Sequence, residues 1–157
     1  MVLLLWIFIA IIAIIVIAFI VNYNRFTILE NRIDNSLSQI DVQLKKRADL
    51  VPNLMNSVKG YMKHEKSIMK DVTDSRKALL SATTIQEKAK AGAELQTALK
   101  SIFALAENYP NLKANENFLQ LQQELSAIEE KVAYSRQYYN DSILSFNNSV
   151  ETFPGVF

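Results

Sequence analysis

The chain lacks cysteine and contains little glycine, proline or histidine. Its 157 residues include no Cys, three Gly, three Pro and one His. The absence of cysteine excludes disulfides, thiolate nucleophiles and cysteine-based metal sites. The scarcity of glycine and proline, the two residues that most destabilise helix interiors, favours long, uninterrupted helices. The single histidine, His64, lacks the cysteines or carboxylate cluster that a metal site needs, so we expect it on a solvated helix surface.

The charge balance and the missing motifs exclude further classes of function. The formal net charge is +1, and no basic stripe with interleaved aromatic residues is present, which argues against nucleic acid as a partner. The sequence has no glycine-rich phosphate loop, no G-x-S-x-G elbow and no zincin motif. A di-iron bundle needs a Glu-x-x-His motif on two helices, which one histidine cannot supply. We therefore predict a protein that is not an enzyme and has no catalytic residue, metal or cofactor.

A long hydrophobic run is the most prominent feature that is present. Residues 2–21 carry no charge, amide or hydroxyl group, and at ~1.5 Å per helical residue they cover ~30 Å, the thickness of a bilayer's hydrocarbon core. A cleaved signal peptide is the alternative, but no Lys or Arg precedes the run and no A-x-A pattern lies before Asn22. Residues 1–22 are therefore predicted to form a single transmembrane helix, with the lipid bilayer as the partner of residues 2–21.

Basic residues near this run predict its orientation. Only the α-amino group precedes the run, whereas Arg25 and Arg32 follow it, and the sequence Lys45-Lys46-Arg47 comes later. Lys and Arg are enriched on the cytoplasmic side of membrane spans. We therefore expect a single-pass protein of the cell membrane with an extracellular N-terminus and a cytoplasmic C-terminal domain.

Apolar residues recur at helical spacing through the rest of the chain, as in the series Ile33, Leu37, Ile40 and Leu44. Pro52 is expected to end the first helix, because proline disfavours helix interiors. The predicted fold class is all-α, with the transmembrane helix followed by an antiparallel up-down four-helix bundle over residues 23–153. The four predicted helices span about 23–50, 52–82, 85–108 and 114–152. Residues 153–157 form an apolar C-terminal segment that we expect near the membrane interface.

The up-down topology brings two connections together at the end of the bundle that is distal to the membrane. Polar and aromatic side chains at this tip form a candidate partner-binding site: Lys45, Lys46, Arg47, Asp49, Tyr109, Asn111, Asn115 and Glu116. A structural interpretation stands beside the functional one, since basic residues stabilise the last turn of a helix and Asn caps the first. Binding of the basic run to lipid is disfavoured, since it lies ~36 Å along the helix from the anchor, beyond the ~8 Å screening length.

Several long motifs resemble the LemA family. They are residues 32–54 (RIDNSLSQIDVQLKKRADLVPNL), 58–65 (VKGYMKHE), 112–121 (LKANENFLQL), 139–141 (YND) and the pair Phe153-Pro154. The resemblance covers about residues 22–157. It implies a bacterial or archaeal membrane protein with one N-terminal span, an extracellular N-terminus and a cytoplasmic helical bundle. It implies no established activity, catalytic residue or cofactor.

Three functions remain open from the sequence. The first is a membrane-anchored, non-enzymatic scaffold or assembly protein that forms homo-oligomers, with another membrane protein as a further candidate partner. The second is a sensor or adaptor that binds a small ligand or a partner peptide at the distal tip. The third, a lipid-remodelling protein, is disfavoured by the net charge near zero.

Overall fold

A computed structural model describes residues 1–153 and 155, and every regular element in this part of the chain is an α-helix. The helices are α1 (Val2–Lys59), α2 (Lys66–Ser81), α3 (Ile85–Ala106), α4 (Pro110–Lys113) and α5 (Glu116–Glu151). The predicted all-α class is confirmed. The expected interfacial segment 153–157 lies mostly outside the described residues, because only Phe153 and Gly155 of it are described.

The chain divides into two compact units, which we describe separately. Unit 1 comprises Met1–Gln39 and Ser135–Phe157, and unit 2 comprises Ile40–Tyr134. The two long helices, α1 and α5, each contribute residues to both units. Unit 1 therefore contains the hydrophobic run, and unit 2 contains the candidate site residues that the sequence predicts.

The N-terminal part of α1 is a candidate membrane span. Among the described helices, α1 alone is long and apolar enough to cross a membrane, by length and composition, and none of its most apolar window is buried. A helix that is apolar on all sides must find apolar surroundings, either in a protein core or in lipid. The exposure of these side chains favours lipid.

The first helix does not end at Pro52, as the sequence predicted, but continues to Lys59. Proline has no N–H group, so Pro52 leaves the carbonyl of Ala48, four residues earlier, without its helical hydrogen bond. Arg76 of α2 supplies the missing donor, because its Nε donates to the Ala48 oxygen at 2.8 Å. The prediction was wrong because the compensating donor lies 28 residues away.

Two connections join the helices on either side of α2. Residues 60–65 connect α1 to α2, and Met62, which is 1% exposed, fixes this turn to the core. Residues 82–84 connect α2 to α3, where the predicted turn occurs. There the Thr84 hydroxyl accepts a hydrogen bond from the Glu87 backbone N–H, and the Glu87 carboxylate accepts one from the Thr84 backbone N–H. This reciprocal capping box satisfies donors that the first turn of a helix cannot pair internally.

The core of unit 2 draws apolar residues from all five helices. Asp41 and Arg47 of α1 contact Lys88 and Gly92 of α3 in the same order along both helices, so these segments run in the same direction. Helices α2 and α3 pack against each other, and Phe103 meets Phe118 edge-to-face at 5.9 Å between ring centroids. The residues of this core that are least exposed are Ala48, Leu54, Val58, Val72, Leu95, Ile102 and Leu112.

Within unit 1, α1 and α5 meet through aromatic and small residues. Phe26 and Phe146 form an edge-to-face pair with centroids 6.1 Å apart. The buried hydroxyls of Ser36, Ser142 and Ser149 each donate to the carbonyl four residues earlier in the same helix. Buried polar groups must be hydrogen-bonded, so these serines supply small, satisfied side chains to the helix interface.

Candidate functional site

A buried polar cluster lies inside unit 2, around Arg47. The Arg47 side chain is only 2% exposed. Its Nη2 forms an ion pair with Oε2 of Glu129 on α5, and its Nη1 donates to the carbonyl oxygen of Gly92 on α3 at 3.4 Å. The second oxygen of Glu129 accepts a hydrogen bond from Nε2 of Gln96. Because a buried charge is costly unless it is paired, the ion pair with Glu129 stabilises the burial of Arg47.

The local sequence explains how these groups come together. Arg47 follows Leu44 by three residues and precedes Val51 by four, so it lies on the core-facing side of α1. Gly92 is buried on α3, and because glycine has no side chain its backbone is open to contact by the guanidinium group. The arrangement places one cation, one carboxylate and one amide at the meeting point of three helices.

A cavity of about 170 Å³ adjoins this cluster. Three apolar side chains, Leu99, Phe103 and Leu125, form much of its wall. Its other lining residues are Arg47, Gln96, Lys100, Gln122, Ser126 and Glu129. Glu129 is 35% exposed, so the polar end of the cavity is accessible to water. A mainly apolar cavity with a few convergent polar groups is the usual form of a small-molecule site.

The polar groups on the wall of this cavity include one hydroxyl and no histidine. Ser126 is the hydroxyl on its wall, and a serine nucleophile needs a neighbouring base. The single histidine, His64, is exposed in the turn between α1 and α2 and does not line the cavity. Among residues 1–153 and 155, no group of three or more His, Asp or Glu side chains could hold a metal ion.

The residues of the predicted tip separate into two groups. Arg47 is buried at Gly92, while Lys45, Lys46 and Asp49 are exposed on the same helix, one or two residues from it. They do not lie in the last turn of α1, because the helix continues to Lys59. The expected dipole interaction at a helix end therefore does not apply to them.

The other predicted residues lie around Tyr109, at the connection between α3 and α5. The Tyr109 hydroxyl donates to Oε1 of Glu65 at 3.4 Å, which joins this connection to the turn after α1. Oδ1 of Asn115 accepts a hydrogen bond from the Phe118 backbone N–H at 3.1 Å, so Asn115 caps α5. Asn111 and Glu116 are exposed. We call Glu65, Tyr109, Asn111, Asn115 and Glu116 the Tyr109 corner.

The prediction that all eight residues meet at one tip is wrong. Arg47 contacts Gly92, whereas Tyr109 follows Ala106 at the end of α3. Ala106 follows Gly92 by fourteen positions, which corresponds to ~21 Å of helix. The error follows directly from the predicted end of the first helix, because an end at Pro52 would have brought Arg47 close to the turn.

Sequence reasoning missed Glu129, which pairs with Arg47, and Gln96, which donates a hydrogen bond to Glu129. A signal was present, since an arginine in register with Leu44 and Val51 predicts a buried cation that needs a carboxylate. The sequence did not indicate which carboxylate would pair with Arg47, because several Glu residues lie along α5. Only the packing of α1 against α5 selects Glu129.

One carboxylate of unit 2 has a shifted pKa. Hydrogen bonds from the backbone N–H of Thr84, and then from the backbone of Thr83, hold the pKa of Glu87 below its ordinary value. These bonds favour the charged carboxylate, since it accepts them more strongly than the protonated form does. The start of α3 is therefore stabilised most when Glu87 is ionised.

Comparisons with known proteins agree with the motifs in the sequence. The model of the LemA family matches residues 36–157. "Protein LemA" of Metamycoplasma hominis is 30% identical over 128 residues, which is 79% of this chain and 57% of the relative. "Magnetosome protein MamQ" of Magnetospirillum gryphiswaldense is 22% identical over 159 residues, covering 85% of this chain and 58% of that protein. The chain thus spans less than two thirds of the length of either relative. Since the family model matches well over half of its residues, the chain belongs to the LemA family.

Proposed function

We propose that this protein is a membrane-anchored, non-enzymatic scaffold of the LemA family that assembles with further copies of itself. The observation that carries the proposal is the continuity of α1 from Val2 to Lys59. One helix supplies both the candidate membrane span and residues of the core of unit 2, such as Leu54 and Val58. A scaffold needs this kind of unbroken connection between its anchor and its folded part.

The helical segments of unit 2 are proposed to form an up-down four-helix bundle. The parallel order of contacts between α1 and α3 and the packing of α2 against α3 support this arrangement. Short connections, such as residues 82–84, are typical of antiparallel neighbours in bundles. The proposed orientation has an extracellular N-terminus and a cytoplasmic unit 2, as the basic residues after the span favour.

Self-association can be tested on the full chain. Native mass spectrometry from detergent should give oligomers at micromolar concentrations, and photo-crosslinking in native membranes should give the same species. A strict monomer at all concentrations, together with no self-crosslinks in the membrane, would refute the scaffold proposal.

The proposed surface for a foreign partner is the Tyr109 corner. Asn111 and Glu116 are exposed there, whereas Tyr109 and Asn115 carry hydrogen bonds that hold the fold. A photo-crosslinking amino acid at position 111 should therefore capture a partner protein in native membranes. The matched control is position 74, where Asp74 is also exposed on unit 2. Equal capture at both positions, or none at 111, would remove this surface from the proposal.

A ligand sensor is the second candidate function, and the cavity next to Arg47 favours it. Its volume of about 170 Å³ suits a molecule of about the size of benzene that is mainly apolar and has one polar end. Indole and phenol are suitable probes, and each should raise the melting temperature of the wild-type chain. The Ser126→Phe variant, whose ring would occupy the cavity, should not respond. A response that is the same in both proteins would refute binding in the cavity.

A further inference from the structure

A group of exposed apolar side chains lies where α5 ends. Phe153 is 82% exposed and Val150 is 41% exposed, and Tyr23 on α1, also in unit 1, is 64% exposed. Exposed large apolar residues that cluster at one end of a unit mark a contact with apolar surroundings. Their position relative to the hydrophobic run identifies what those surroundings are.

The chain after α5 folds back against α1 at Phe26. A Cβ atom on Gly155 would lie 3.0 Å from Cζ of Phe26 and 1.9 Å from the backbone oxygen of Ser149. Only glycine allows this approach, because any side chain would collide with the Ser149 carbonyl. Phe153 precedes Gly155 by two residues, so its backbone lies within ~7 Å of Gly155. The end of α5 is thereby held beside Phe26.

Phe26 lies just beyond the hydrocarbon core if residues 2–21 span the bilayer. It follows Val21 by five residues, which corresponds to ~8 Å of helix. The headgroup layer adds ~5–8 Å on each side of the hydrocarbon. The turn that ends α5 therefore lies within or at the edge of the headgroup layer.

The side chains at this level suit a membrane interface. Tyr23 and Phe153 are aromatic residues of the kind that form belts at the headgroup level, and Arg25 adds an exposed cation for lipid phosphates. Nδ2 of Asn22 donates to the Ala18 carbonyl at 2.7 Å, which satisfies a polar group at the end of the apolar run. Glu151 is exposed as well and can remain in water.

We propose that Phe153 and Val150, together with Tyr23, form a second membrane contact in which the end of α5 inserts into the lipid interface beside the span. The occupant of this surface is the bilayer, because the surface continues directly from the hydrophobic run. The contact holds the segment that follows the span at Asn22 and the end of α5 at the lipid surface. The proposal rests on residues 2–21 spanning the bilayer, which is tested separately below.

Tryptophan fluorescence in lipid vesicles provides the test. The chain has one tryptophan, Trp6, which lies in the hydrophobic run. Trp6→Phe gives a background without tryptophan, into which Phe153→Trp or Leu144→Trp introduces one reporter. Leu144 is the matched control, since it is 59% exposed on α5 of unit 1 but lies nine residues, or ~14 Å of helix, before position 153. The variants, each with all 157 residues, are placed in phosphatidylcholine vesicles that contain brominated or spin-labelled lipids.

The tryptophan at position 153 should lose most of its emission to quenchers near the headgroups, and iodide in the water should have little effect. The tryptophan at position 144 should show the opposite response. Equal lipid quenching at the two positions, or iodide quenching alone at 153, would overturn the proposal. A third outcome is that position 153 is protected from both quenchers and that this protection disappears when the protein is diluted in lipid. That outcome would overturn the proposal, because the occupant of the surface would then be a second copy of the chain. Trp6 in the wild-type chain tests separately whether residues 2–21 span the bilayer. If they do, labels on the acyl chains should quench Trp6, whatever the result at position 153.

Discussion

The hydrogen bond between Arg76 and the Ala48 carbonyl should be needed only because residue 52 is a proline. Pro52 cannot donate to Ala48, and the Nε of Arg76 does so instead at 2.8 Å. Ala48 is 0% exposed, so water cannot replace this donor. We therefore expect the effect of removing Arg76 to depend on the residue at position 52.

The size of the effect follows from the burial of the carbonyl. Arg76→Met should lower the free energy of unfolding by about 1–3 kcal/mol, the cost of an unsatisfied buried acceptor. In a Pro52→Ala background, the new N–H at position 52 donates to Ala48, and the same change should cost less than about 1 kcal/mol. The coupling energy between the two sites is then about 1–2 kcal/mol, or several degrees in melting temperature for a unit of this size.

The assay is a double-mutant cycle on the full chain in detergent, with unfolding by urea or heat followed by circular dichroism at the helix band. Lys77→Met is the matched control, because Lys77 is exposed on the same helix and should change stability by less than about 0.5 kcal/mol. If Arg76→Met lowers the free energy of unfolding equally in both backgrounds, Arg76 does not compensate for the N–H group that Pro52 lacks, and our explanation of why α1 continues beyond Pro52 is wrong.

Further predictions concern the buried ion pair, the start of α3 and two glycines. Glu129→Gln should cost about 2–3 kcal/mol, since it removes the carboxylate charge that pairs with the buried Arg47. Arg47→Met, which removes the buried charge, should cost less, because Glu129 is 35% exposed to solvent. Equal urea midpoints for the two variants would contradict this difference. The lowered pKa of Glu87 means that its stabilising effect is complete above the ordinary carboxyl pKa and is lost as the pH falls through the lowered value. Nuclear magnetic resonance of the first amides of α3 should show this acid transition in the wild type and not in Glu87→Gln. Gly155→Ala should disrupt the turn after α5, because its Cβ would lie 1.9 Å from a backbone oxygen. Gly60→Ala should be tolerated, because a Cβ atom at position 60 would have nothing within 4 Å. Equal melting temperatures and equal proteolysis of the C-terminus in the two variants would refute this difference.

Much of the secondary structure was readable from local pattern. The hydrophobic run, the helical spacing of apolar residues and the break around Pro110 depend on neighbours within a few turns of the chain. The first helix was misread for the opposite reason. Proline at position 52 predicts a helix end locally, and only a side chain from α2 overturns that prediction.

The candidate site was harder to predict because its parts come from three helices. Asn115 could be recognised as a helix cap, since capping involves residues three apart in sequence. Arg47 and Glu129 are 82 residues apart in the sequence, and the local sequence around one of them does not indicate the other as its partner. The cavity beside them likewise exists only because α3 and α5 leave a space between their side chains.

By itself, the sequence determined the all-helical class, the candidate membrane span and the family, because composition, periodicity and long motifs carry that information along the chain. The tertiary structure alone decided that α1 passes through Pro52, that Arg47 is buried rather than offered to a partner, and that the chain after α5 folds against Phe26. The physical reason is the same in each case. An unpaired carbonyl, a buried charge and a close backbone approach are each tolerated only when a group distant in sequence lies next to them in space.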